Sequence, residues 1–144
     1  MSILSLSRVL IVGTLAAVLG GCGRGGPAQV DADWLAGVEE MRGAIASSTG
    51  FSPSSIEVMA SAAHLRISIS DARLAQADQA AREEAATGVM TAAERSLAKN
   101  SRFSSVQQLS VAIVHPGAAA SDMHIEDVVD FRRGPDQRFS KHTT

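Results

Sequence analysis

Two histidines, His115 and His124, stand on either side of Pro116 and Gly117, with Asp122 and Glu126 next to the second. A hairpin closing over that break brings its two ends together, and imidazole nitrogens beside carboxylate oxygens are the ligand types of a surface metal site. The spacing is loose and no third histidine accompanies the pair. Polar residues flanking an exposed loop are therefore the expected arrangement, and neither a metal nor another cofactor is expected. Other strings that look chemical fail on their context. Gly50, Phe51, Ser52, Pro53 and Ser54 place a serine after a glycine, but they lack the second glycine of a nucleophile elbow and precede a strand, so they form a linker. Gly21, Gly23 and Gly26 spell GxGxxG with no strand before them and no βαβ unit around them. HExxH, GxSxG, phosphate-loop and CxxC motifs do not occur. No catalytic residue is assigned, and an enzyme is the least expected of the function classes.

The lone cysteine carries a more specific signal. Leu19, Gly20, Gly21 and Cys22 follow Arg8 and the apolar run 9–19, which has the charged start, short apolar centre and small-residue exit of a secretory signal. The run is too short for a retained membrane helix, which needs about 20 apolar residues. A plain secretory signal cut near the same place would instead leave Cys22 as a free thiol. The four residues resemble the lipobox of bacterial lipoproteins. That resemblance covers only residues 1–22, and it implies acylation of the Cys22 thiol, removal of residues 1–21 and acylation of the new amino terminus. Several chains are needed because each buried methylene contributes only about 0.8 kcal/mol. In that family an Asp after the cysteine favours inner-membrane retention in enteric bacteria. Here the residue is Gly23, which implies the periplasmic side of the outer membrane rather than the inner.

What is anchored has the size of one compact domain. Residues 22–131 carry 8 basic and 14 acidic residues, a net charge near -6, and an acidic body is a poor surface for nucleic acid. Aromatic residues make up only 3% of the chain, which counts against sugar- and nucleic-acid-binding surfaces built on stacking rings. Residues 22–30 form a Gly-rich linker that holds the domain within a few tens of Å of the bilayer, at about 3.3 to 3.6 Å per residue.

The elements follow from periodicity. Asp31 or Asp33 caps a first helix whose Trp34, Val38, Met41 and Ile45 share one face. Trp34 so near the anchor suits a membrane interface, though a core tryptophan heading the apolar stripe is the favoured assignment. Gly50 ends this helix and Pro53 prevents its resumption. Two alternating strands follow, Ile56, Val58 and Ala60 in one and Leu65, Ile67 and Ile69 in the next, joined by a turn over residues 62–64. Asp71 caps a continuous second helix to Lys99, with Leu74, Ala77, Ala81, Ala85, Val89 and Ala92 inward, an Asp78 to Arg82 pair on its surface, a bend at Gly88 and a stop at Asn100. Leu109, Val111 and Ile113 mark a third strand. A fourth runs from about His124 to Phe131, with Asp127 awkwardly on the side of Val129.

The expected fold is α+β, a two-layer sandwich in the order α-β-β-α-β-β, like a permuted ferredoxin-like chain. Both helices lie on one face of a four-stranded, mainly antiparallel sheet occupying residues 31–131. Residues 132–144 form a basic tail with Arg132, Arg133, Arg138 and Lys141 around Phe139, expected to be disordered and able to meet anionic headgroups. The sheet then leaves Glu57, Met59, Arg66, Ser68, Gln108 and Ser110 on its open face, a natural docking surface. The expected function is a membrane-anchored, non-enzymatic protein-binding or envelope-assembly module whose partner is an envelope protein. The alternative is a binder of a small ligand or a metal. The fold order is similar to that of periplasmic modules of pilus and type II secretion platforms, a likeness of architecture only.

Overall fold

The computed structural model describes residues 32–116 and 123–142. The lipobox, Cys22, the linker, Asp31 and Asp122 lie outside the described residues. Helix α1 (Ala32–Thr49) buries Met41 and Ile45 fully, with Trp34 and Val38 half-buried against the same core. Trp34 packs on Phe103 at 4.6 Å between ring centroids, tilted by 59°, so its body lies against protein. Gly37 allows that approach: a Cβ there would lie 3.1 Å from the Phe103 ring and 2.6 Å from Asn100 Nδ2. Gly50 closes the helix at φ 74°, its N–H donating to Ala46 O at 2.9 Å, and Pro53 opens a short 3-10 turn, Pro53–Ser55.

Strands β1 (Ile56–Ala60) and β2 (His64–Ile69) form an antiparallel hairpin. Asp71 caps α2 (Ala72–Ala75) by accepting from Arg73 N at 2.8 Å, and hydrogen bonds from Arg73 hold its carboxyl below the ordinary aspartate value. The continuous helix expected over this stretch is in fact two. The chain breaks at Gln76, and Asp78 starts α3 (Gln79–Lys99) by accepting from Ala81 N at 2.8 Å. Asp78 caps α3 without making the expected pair with Arg82, which instead meets Asp127 Oδ2 at 3.1 Å. Leu74, Val89 and Ala92 are buried as expected and Ala85 packs against the core, but Ala81 is exposed, and Ala86, Met90, Ala93 and Leu97 widen the buried face. Asn100 ends α3 as expected, and its Oδ1 accepts from Arg102 N at the 3-10 turn Ser101–Phe103.

Strands β3 (Gln108–Pro116), β4 (Met123–Arg133) and β5 (Phe139–Lys141) complete a five-stranded sheet in the order β1-β2-β3-β4-β5. The pairing of β2 with β3 is parallel and the other three pairings are antiparallel. The α+β two-layer sandwich stands, whereas the four-stranded permuted ferredoxin-like sheet does not. The two helices between β2 and β3 return the chain to the strand beside β2, where the permuted order would leave a strand between them. A bulge also separates Ile113 from Val114, with Glu126 the extra residue on β4. Asp127 faces Ile113 across that ladder, and the ion pair with Arg82 accounts for a carboxylate on the helix side.

Residues 132–142 of the tail expected to be disordered form an ordered hairpin with the end of β4. Arg132 and Arg133 belong to β4, Gly134 N donates to Arg138 O at 2.8 Å, and Gln137 takes the turn at φ 65°. Phe139 is only 6% exposed, its N–H donates to Glu94 Oε1 at 3.0 Å, and the Arg133 guanidinium lies 5.0 Å over its ring. Lys141 Nζ meets Glu83 Oε2 at 2.5 Å and, with Gln79, holds that carboxyl below the ordinary glutamate value. One buried side chain and three ladder positions fix a segment that shows no apolar period.

Candidate functional site

Helices α1 and α3 lie on one side of the sheet, where Leu65, Ile67, Ile69, Leu109, Val111 and Ile113 are buried in a single core with them. Side chains alternate along a strand, so the residues between these point to the other side. Glu57 and Met59 of β1, Arg66 and Ser68 of β2, and Gln108 and Ser110 of β3 therefore share the uncovered face. The register sets them in rows: Met59 beside Arg66, Arg66 beside Ser110, Ser110 beside Asp130. Their exposure is uneven. Met59 is 49% exposed, whereas Ser110, expected in the open, is 5% exposed and the only polar residue in the buried class among the described residues.

Ser110 is buried because it joins three strands. Its hydroxyl lies 2.5 Å from Asp130 Oδ1 and 2.8 Å from His64 Nε2. A carboxylate can only accept, and a hydroxyl has one proton, so Ser110 donates to Asp130 and accepts from a proton held on His64 Nε2. That order does not activate the serine, because the imidazole nitrogen facing the hydroxyl already carries a proton and cannot take another. The trio pins β2, β3 and β4 together across the open face. Around it lie Arg66, Gln108 and Arg132, and on the same face Val128 is 47% exposed. The face thus combines two exposed apolar side chains with charges of both signs and a fixed polar centre, and its pockets are shallow. A hollow of about 270 Å³ lined by Met59, Ala60, Ser61, His64 and Arg66 lies at its β1 end.

His64, Asp130, Val128 and Arg132 were not among the residues expected on this face. His64 opens β2 instead of lying in the turn expected over residues 62–64, and the other three continue the alternation set by Val129 and Phe131. The candidate metal ligands divide differently. His115 is half-buried and stands opposite His124 in the β3 to β4 register, and Glu126 occupies the bulge. Asp122 is outside the described residues. Among the described residues no three His, Cys, Asp or Glu side chains gather as a metal ion would require. Comparisons with family models, curated proteins and solved structures each find no match to this chain.

Proposed function

We propose that this chain is a lipoprotein anchored through acylated Cys22 on the periplasmic side of the envelope, at the outer membrane, and that its domain is a non-enzymatic module that docks an envelope protein on the open face of the sheet. The observation supporting this docking is the one-sided sandwich itself. An antiparallel-rich sheet with helices on one side leaves an open face, and among the described residues that face exposes Met59 and Val128 amid polar and charged groups. Such a surface, with apolar side chains set among polar and charged ones, suits a broad protein contact. The Ser110 trio holds the three central strands in register, so the surface is rigid before a partner arrives.

The test is a photo-activated crosslinker placed at Val128 in the full chain, expressed in its own envelope, with Glu84 on the outer side of α3 as the control position. The expected result is a discrete crosslinked envelope protein from position 128 and none from position 84. Equal crosslinking from both, or none from 128, refutes docking on this face.

A further inference from the structure

We propose that two copies of this chain join edge to edge through β1, antiparallel about a two-fold axis at Val58, so that two five-stranded sheets become one of ten strands. This pairing uses the sheet edge and does not depend on what the open face binds.

The hydrogen bonds of the β1 to β2 hairpin fix which backbone groups face outward. Ser61 N donates to His64 O at 2.8 Å and Ser70 N to Ser55 O at 2.9 Å. In an antiparallel ladder the bonded pairs recur every second residue, so Ser55, Glu57, Met59 and Ser61 turn their backbone towards β2. Ile56, Val58 and Ala60 turn theirs outward. The Ile56 N–H is taken by Pro53 O, which leaves three carbonyls and two N–H groups along the edge. Exposed edges are usually blunted by shortness, Pro, a bulge or a well-placed charge. At the other end of the sheet β5 is three residues long and tied to α3 by Lys141. Strand β1 has five residues in unbroken register and no proline within it.

Apolar surface borders this edge on the open face, where Met59, 49% exposed, is one of three exposed large hydrophobic side chains among the described residues. An axis through the edge covers it twice.

Charge selects the second copy and its register. With the axis at Val58, Val58 bonds Val58 of the other copy in both directions, Ala60 N–H bonds the opposite Ile56 carbonyl twice, and Glu57 stands across from Met59. Met59 already neighbours Arg66, so the second copy's Glu57 and Arg66 flank one methionine, about 9.6 Å apart at the backbone and within reach of two long side chains. Arg66 has a buried Nε without a hydrogen-bond partner, and neither Arg66 nor Glu57 has an ion-pair partner among the described residues. An axis at Glu57 would set like charges opposite each other. An axis at Met59 would separate Glu57 from Arg66.

The test is the mass of the full chain in mild detergent, measured by light scattering across a dilution series. The expected state is a dimer. Val58→Pro should weaken it about tenfold or more, since two bonds at the axis are lost while the β1 to β2 ladder does not use that N–H. Glu57→Arg alone should weaken it about threefold, and adding Arg66→Glu should restore it, because the reversed pair is again complementary. The same double reversal changes the charge offered to a foreign partner, so self-pairing and open-face docking fail separately. A mixture of chains carrying Glu57→Cys and Met59→Cys should form a disulfide between copies. A monomer at every concentration, or a dimer indifferent to both the charge swap and Val58→Pro, overturns the pairing.

Discussion

Phe139→Ala tests whether the final hairpin is part of the domain. The ring is 6% exposed and belongs to the main core, where removing a phenylalanine costs about 3 to 5 kcal/mol through lost burial and the cavity left behind. The lower end applies, because β5 is the edge strand and its three positions can relax. Loss of the Arg133 guanidinium contact at 5.0 Å adds about 0.5 to 1 kcal/mol. A total of about 3.5 to 4 kcal/mol is expected, a drop in Tm of roughly 14 °C or more for a domain of this size. The assay is thermal and urea unfolding of the full chain in detergent, with hydrogen exchange at the His142 amide, which bonds Asp130 O at 2.7 Å. A Tm change below about 4 °C with the His142 amide still protected would show that Phe139 contributes no such packing.

Cys22→Ser should abolish acyl labelling and leave an uncut precursor, as seen by radiolabelled palmitate and gel mobility; normal labelling of the variant refutes the anchor. Gly37 of α1 and Gly88 of α3 should respond in opposite directions to alanine. Gly88→Ala is expected to stabilise by about 0.5 to 1 kcal/mol, since the added Cβ meets only Thr49 Cγ2 at 3.9 Å, whereas Gly37→Ala should destabilise because its Cβ would strike Asn100 and the Phe103 ring. Urea midpoints of the two variants decide this. Acid should loosen the β5 hairpin: Glu83 has a lowered carboxyl value, so its bond to Lys141 contributes fully above the ordinary 4.5 and is lost as pH falls through the lower folded value. Exchange at β5 amides should rise over that acid range in the wild type and not in Glu83→Gln.

The first three strands were legible because each has one dry and one wet side, and residues such as Leu65, Ile67 and Ile69 alternate accordingly. Six open-face positions followed from the same parity. The Ser110 trio did not, because it depends on the register of three strands, one of them parallel, and no local pattern encodes that. Strand β5 escaped notice because its order comes from Phe139 in a distant core and Glu94 on α3. The division between α2 and α3 was hidden by an alanine-rich stretch in which Asp78 suits both a helix surface and a cap, and the cap wins.

Every strand of this sheet lies next to the strand made just before it. Each strand can therefore dock on one already made: β2 on β1, β3 on β2 once the intervening helices have collapsed, then β4 and β5. A chain emerging amino end first never has to hold a strand in reserve for a partner yet to appear. At each stage the newest strand is the sticky end, and β5, short and tied down by Lys141, terminates the growth.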